Sequence, residues 1–210
     1  MPPTAPLDFE EEGWSAGCRY IVGVDEVGLG PVAGPVVAAA VALKKGQQFE
    51  GAVYSKLLTA KQREGLAGII RKECLAFSVG AASCREIERI NVRAASILAM
   101  KRAVERLPFE PDLLLVDGRP APALGEHTPI VRGDQRSHSI ACASILAKVV
   151  RDELMCMLDR RYPDYGWASN KGYRTRGHMT AIQSLGPTPH HRRTFQGVLQ
   201  VELELGSEPA

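Results

Sequence analysis

Four acids stand apart from the other carboxylates of the chain by where they fall. Asp25 and Glu26 are adjacent and close the apolar run at 20–24; Asp117 closes Leu113 to Val116; Asp134 follows the run at 128–131 and Gly133. An acid at the end of an apolar run sits at the edge of a core, where an unpaired carboxylate is costly. If those runs are strands of one sheet, all four acids could meet at one end of it. Gathered carboxylates repel one another and cannot all ionise comfortably. Hard divalent cations relieve that repulsion, and oxygen-only ligands favour Mg²⁺ or Mn²⁺ over zinc. Two such ions a few Å apart activate a water and stabilise the leaving oxygen of a phosphodiester. Spacing alone does not bring the acids together, and the plainer alternative for each is a strand end facing water.

The residues after the first pair sharpen the choice. Gly28, Gly30 and Gly34 are broken by Pro31 and Pro35. Such a turn lets backbone N–H groups approach a ligand closely, and these groups suit phosphate or hydroxyl oxygens. A dinucleotide fingerprint needs G-x-G-x-x-G opening a helix. Here the spacing after Gly30 is wrong, and Val36 to Leu43 reads as strand. No G-x-S-x-G occurs and the histidines cluster late, so a nucleophilic hydrolase finds no comparable support.

The positioning elements follow from periodicity. Short β-branched or apolar runs predict strands over 20–25, 35–43, 75–82, 113–118 and 128–131. If the first strand continues through its acids, Asp25 and Glu26 point to opposite sides. Thr59 is placed to cap a helix through 72, Ser83 a short helix over 85–89, and Asn91 a longer one over 92–107. In that longer helix Ala94, Ile97, Leu98, Met100 and Val104 trace the expected buried face. A long helix over 137–160 would bury Ile140, Ala143, Ala147, Val150, Leu154 and Met157. A short one spans 177–185. Strands first, then helix–strand alternation, predict an α/β layer with a mixed sheet.

With 210 residues, 45% of them hydrophobic and 24% charged, the chain reads as an ordinary globular protein with enough length for a sizeable core. A net charge of +2 means that any nucleic-acid surface must be local. One segment qualifies. Residues 160–195 interleave Arg160, Arg161, Lys171, Arg174, Arg176, Arg192, Arg193, His178, His190 and His191 with Tyr162, Tyr165, Trp167, Tyr173 and Phe195. Cations beside stacking surfaces suit a nucleic-acid backbone; the alternative is a solvated basic face with aromatics in a small core. Five scattered cysteines with no C-x-x-C fit reduced thiols in a cytoplasmic protein and give no zinc site. No signal peptide or membrane span is visible. The expected division is a loose leader over 1–17, a catalytic domain over 18–160, and a C-terminal helical, basic-aromatic segment over 161–210.

Whole stretches also carry a resemblance. G-V-D-E-V-G-L-G-P-V-A-G-P-V-V-A-A-A-V at 23–41, Ser55-Lys56, Asn91 with A-x-x-x-A-M-K-R-A-V at 95–104, and Leu115-Val116-Asp117-Gly118 resemble bacterial ribonuclease HII. So do Gly133-Asp134, S-I-A-C-A-S-I-L-A-K-V-V-R-D at 139–152, K-G-Y-R-T at 171–175 and G-P-T-P-H-H-R-R-T-F at 186–195. Together they cover about 20 to 195 in the family's order. The resemblance implies an RNase H-like fold, with a mixed five-stranded sheet flanked by helices and a small helical C-terminal appendage. It implies a metal-dependent endoribonuclease acting on RNA in RNA–DNA hybrids and cutting 5′ of ribonucleotides embedded in duplex DNA. By position it makes Asp25, Glu26, Asp117 and Asp134 the catalytic, metal-binding carboxylates, with two ions of Mg²⁺ or Mn²⁺. It assigns Gly28, Leu29 and Gly30 to reading the ribose 2′-hydroxyl and Tyr173 to packing on that ribose. Ser55, Lys56, Ser137 and Lys171 follow as phosphate contacts. Two departures stand out. The family turn is usually Gly-Arg-Gly, and here Leu29 replaces the arginine; the family usually has Asp before Ser-Lys, and here Tyr54 does. The expectation is kept activity with weaker substrate binding. A monomer is expected, with no membrane partner; docking to a replication clamp is not legible in the residues.

Overall fold

The computed structural model describes residues 4–53 and 55–198. Tyr54 and residues 199–210 lie outside the described residues, and with them nearly all of the tail after Gln196 that the sequence reads as a terminal helix or a frayed end. The elements are α1 (Asp8–Ser15), β1 (Ile21–Val27), β2 (Val36–Ala42), α2 (Ala60–Glu73), β3 (Ala76–Ala82), α3 (Cys84–Ile90), α4 (Val92–Glu105), β4 (Leu113–Asp117), β5 (Thr128–Ile130), α5 (Gly133–Arg136), α6 (His138–Arg161), α7 (Trp167–Asn170) and α8 (Arg176–Leu185).

The sheet has five strands in the order β3-β2-β1-β4-β5. β1 runs antiparallel to β2 and parallel to β4, and β4 runs parallel to β5, so the sheet is mixed as expected. Every residue of β2, VVAAAVA, is buried. Close approach of helices is what small residues allow here. A Cβ on Gly23 of β1 would meet the Ile140 nitrogen and the Ser139 carbonyl carbon, both at 2.3 Å, so Gly23 lets the start of α6 lie directly on the strand. Gly80 does the same for α4, where a Cβ would sit 2.1 Å from the Ala99 oxygen. These contacts correct the expected face of α4. Its buried side carries Ala95, Ser96, Ala99, Met100 and Ala103, while Ala94, Ile97 and Leu98 are only half-buried. Small residues win over large apolar ones because the backbones are too close for a larger side chain.

The caps fall where the sequence puts them. Thr59 and Ser83 form reciprocal capping boxes with Gln62 and Glu86. Asn91 Oδ1 accepts from the Arg93 and Ala94 N–H groups at the start of α4. The loose leader does not hold for residues 8–15. They form α1, whose Trp14 joins the main core and whose Glu10 is fully buried. Glu10 Oε1 accepts from the Ser139 N–H at 2.9 Å and from the Ser137 and Ser139 hydroxyls, each at 2.6 Å. An anion at the N-terminus of the 24-residue α6 also meets the positive end of that helix.

The chain divides into two compact units, and not at residue 160. The first holds 1–27, 37–81 and 96–150; the second holds 28–36, 82–95 and 151–210. The first unit contains the main core, including Ile21, Val41, Leu115, Ile130, Ile140 and Leu146. The second has its own small core of Val32, Ala33, Met155, Tyr165, Trp167, Ile182 and Val198. Along α6 the expected buried face holds for Ile140, Ala143 and Ala147. Beyond 150 Arg151 and Met155 take the inward positions and Met157 is 53% exposed.

Candidate active site

Register brings the first acids together. Val24 pairs with Val116 on the neighbouring parallel strand, so one residue further Asp25 lies alongside Asp117. β1 continues to Val27, and strand alternation holds. Asp25 meets Ser144 of α6, whereas Glu26 meets Ser96 of α4. Asp134 opens the short α5. The Gly133 N–H donates to Asp117 Oδ1 at 2.6 Å. A Cβ on Gly133 would lie 3.2 Å from that oxygen and 2.7 Å from Ile140 Cδ1, so only glycine brings the Asp134 turn this close. All four acids therefore fall within the first unit.

Their electrostatics are those of like charges under partial burial. Burial, then Glu26, Asp117 and Asp134, push the Asp25 carboxyl well above its ordinary value; the Ser144 hydrogen bond opposes this. Burial and Asp117 push Glu26 up to about 7. Burial also raises Asp117, against N–H donors from Gly133, Asp134 and Gly118. Burial and Asp117 raise Asp134. Lys56 is the cation that offsets the last two. Glu26 Oε2 is buried without a hydrogen-bond partner. Among the described residues, no three Asp, Glu, His or Cys side chains are already arranged to hold a metal ion. The donor chemistry fits one all the same. The set is all oxygen and mutually repelling, and one buried carboxylate oxygen lacks a partner.

The expected phosphate contacts separate. Lys56 is exposed and electrostatically coupled to the cluster. Ser55 is buried, with its hydroxyl 3.0 Å from that of Ser144. Ser144 in turn interacts with Asp25, so Ser55 stands behind the acid through one intervening hydroxyl. Ser137 is 0% exposed and bound to Glu10, so it cannot touch a phosphate; nothing in the local sequence ties it to an acid 127 residues away. In the second unit Lys171 Nζ turns inward, 2.7 Å from the Ala168 oxygen and 3.0 Å from Cys156 Sγ. Its phosphate role is likewise not what this arrangement presents.

The glycine turn belongs to the second unit and is held by two arginines: Arg151, and Arg192, which the sequence groups with the basic surface. Gly28 has φ of +101°, and a Cβ there would meet Arg151 Nε at 2.4 Å. Arg192 is fully buried. Its Nε and Nη2 donate to the Gly34 oxygen at 3.0 and 2.9 Å, Nη1 to Leu29 at 3.0 Å, and Nη2 also to Gly28. Arg151 donates to the oxygens of Pro35, Ala33 and Lys171. Carbonyls anchored inward leave Leu29 and Gly30 exposed at the turn's tip. Tyr173 is 44% exposed, and a Cβ on Gly30 would be 3.8 Å from its ring. The basic-aromatic segment thus splits. Arg192, His178, His191, Trp167 and Tyr165 are core, while Arg160, Arg161, Arg174, Arg176 and Arg193 remain at the surface. No sequence signal distinguishes Arg192 from Arg193.

Comparison with known proteins agrees with this frame. The family model described as Ribonuclease HII matches residues 22–198. Ribonuclease HII of Geobacter sulfurreducens is 50% identical over 198 residues, covering 94% of this chain and 91% of the relative. That of Syntrophotalea carbinolica is 49% identical over 195 residues, covering 92% and 93%. Among solved structures, ribonuclease H2 from Pyrococcus horikoshii OT3 superposes with a TM-score of 0.77 at 24% identity, covering 90% of this chain and all of that one. An RNase HIII solved with Mn²⁺ gives 0.68 at 19%, covering 90% and 70%. These structural likenesses show the RNase H-like fold. With half of its residues shared with curated relatives over nearly its full length, the chain belongs to the ribonuclease HII family and is an endonuclease of the ribonuclease H type.

Proposed function

We propose that this enzyme hydrolyses the RNA strand of RNA–DNA hybrids and also cuts 5′ of single ribonucleotides embedded in duplex DNA. The products carry 3′-hydroxyl and 5′-phosphate ends. Asp25, Glu26, Asp117 and Asp134 would hold Mg²⁺ or Mn²⁺, which supplies an activated water and charge stabilisation at the leaving oxygen. The observation that carries this reading is four carboxylates raised together, by burial first and then, for Asp25, Glu26 and Asp134, by neighbouring acids, with Lys56 offsetting Asp117 and Asp134. Such an arrangement is expensive without a ligand and suits a divalent ion.

The chain's own residues hold the ligands ready. Ser144 and Ser96 orient Asp25 and Glu26 from opposite faces of β1, and three backbone N–H groups fix Asp117. In the second unit, the turn at Gly28–Gly30 and the Tyr173 ring provide a backbone and an aromatic surface for a ribose. The 2′-hydroxyl is the group that marks one RNA residue within DNA, and it both donates and accepts. The test is cleavage of matched duplexes carrying no ribonucleotide, one, or several, with Mg²⁺ and Mn²⁺ compared. Cutting of the second and third only, and only with metal, is expected. Comparable cutting of the all-DNA duplex would replace this reading with a DNA-directed nuclease. Tight binding without cutting in either metal would make the chain a binder.

A further inference from the structure

Beneath Tyr173 in the second unit lies a polar network whose proton positions can be worked out atom by atom. Trp167, His178 and His191 are all essentially inaccessible. Trp167 Nε1 lies 2.9 Å from His178 Nε2. An indole N–H only donates, so His178 Nε2 accepts and carries no proton. The His178 proton is therefore on Nδ1, which lies 2.8 Å from the Tyr173 oxygen and donates to it. His191 Nε2 is 3.1 Å from that same His178 Nε2, so it must be the protonated nitrogen of its ring. This leaves His191 Nδ1 bare, and it accepts from the Thr188 N–H at 2.8 Å. In this assignment the His178 Nε2 lone pair is shared between the Trp167 and His191 donors, and the His191 Nδ1 lone pair between the Thr188 N–H and the Thr188 hydroxyl at 3.0 Å.

The network ends on a residue with an exposed ring. The Tyr173 oxygen also accepts from the Thr175 N–H at 2.9 Å, and the Tyr173 N–H donates to the Asn170 oxygen at 2.9 Å. The peptide units on both sides of the residue are held from below while the ring stays exposed beside Gly30. We infer that His178 is a positioning residue for substrate: its Nδ1–H sets the backbone of Tyr173 so that the ring is presented to the ribose. This rests on the assignment of Tyr173 as the ribose-packing residue, made above.

Two near-isosteres separate positioning from bulk stability. Asn at 178 places an amide donor near the Nδ1 position and can keep the bond to Tyr173. Gln reaches the Nε2 position, keeps an acceptor for Trp167 and loses Tyr173. Both His178→Asn and His178→Gln should lower the melting temperature. Only His178→Gln should raise the KM for a single-ribonucleotide duplex, by about tenfold, the factor that loss of one buried hydrogen bond gives, with kcat little changed. Tyr173→Ala should raise KM at least as much, and adding His178→Gln to it should raise it no further. If Tyr173→Ala raises KM and His178→Gln does not, the role of His178 is overturned and that of Tyr173 stands. If Tyr173→Ala leaves KM unchanged, the ribose assignment fails and takes this inference with it. Equal KM rises in both His178 variants would reduce the residue to scaffolding. Should His178→Gln not fold, long-range ¹H–¹⁵N spectra of the unmodified protein decide. The proton must be on Nδ1, and its resonance must shift on titration with the ribonucleotide duplex in EDTA. A proton on Nε2, or no shift, overturns the inference.

Discussion

The carboxylates of the first unit and the buried arginines and histidines of the second are both ionisable clusters taken out of water, and they are built oppositely. Burial raises Asp25, Glu26, Asp117 and Asp134, neighbouring acids add to this for all but Asp117, and Glu26 Oε2 has no partner. In the second unit every guanidinium nitrogen of Arg151 and Arg192 donates to a backbone carbonyl, and the histidine rings accept and donate in a closed pattern. Burial lowers Arg192 to about 10, which still leaves it charged at neutral pH. An unpartnered buried oxygen alone does not mark the site, since Glu10 Oε2 and Asp159 Oδ1 also lack partners; what sets the site apart is several acids raised together, against arginines whose nitrogens all reach carbonyls.

That contrast can be broken from either side. Asp117→Asn should cost the largest effect, roughly 10³-fold in cleavage rate from loss of several kcal/mol of metal-assisted stabilisation. Its melting temperature without metal should not fall. A stable variant that still cleaves at the parental rate would remove Asp117 from the catalytic set. Arg192→Met should do the reverse, leaving the Gly28, Leu29 and Gly34 carbonyls without this donor and lowering stability by roughly 3 kcal/mol in a urea titration. A loss under 1 kcal/mol would mean that the turn holds itself.

The pH dependence of stability should show both clusters with opposite signs. Glu26 is raised from 4.5 to about 7, so between those values the folded state binds the proton more tightly than the unfolded chain. Stability from this group is present at low pH and is lost as pH rises through about 7. Glu26→Gln should therefore stabilise the metal-free protein by about 2 kcal/mol at pH 8 and hardly at all at pH 5. Mg²⁺ should help the parent protein more than the variant at pH 8. For the histidines the sign reverses. Burial, then His178 and His190, hold His191 down to about 3, and burial lowers His178. The unfolded chain takes protons that the folded one refuses, so stability falls as pH drops from about 6.5 toward 3. Melting curves from pH 7 to pH 4 with His191→Phe beside the parent protein should show a shallower acid loss in the variant. The smallest effect is expected at the exposed tip of the turn. Leu29→Arg adds a cation that can reach a phosphate, and should lower KM on a single-ribonucleotide duplex by severalfold at low salt. An unchanged or higher KM would show that the leucine costs nothing.

Much of this was legible in the residues before any coordinates. The Thr59, Ser83 and Asn91 caps depend on neighbours within a few positions and appear where local chemistry puts them, whereas β1 runs two residues past its expected end. The four acids could be named from their places at the ends of apolar runs. Sidedness was less legible. The face of α4 is not set by its own periodicity, because the glycine that lets it close on the sheet, Gly80, lies in another element. The proline-rich, acidic start reads as a loose leader, yet Glu10 is the buried partner of Ser137 and Ser139.

The sequence by itself determined most of the strands and helices, the acids that follow apolar runs and the glycine turn at 28–34. Only the tertiary structure decided which polar groups face inward. Arg192 meets Gly28 across 164 residues, while Arg193 beside it stays at the surface. The physical reason is that burying a charge is favourable only where distant backbone supplies its partners, and that supply exists only once the chain has folded.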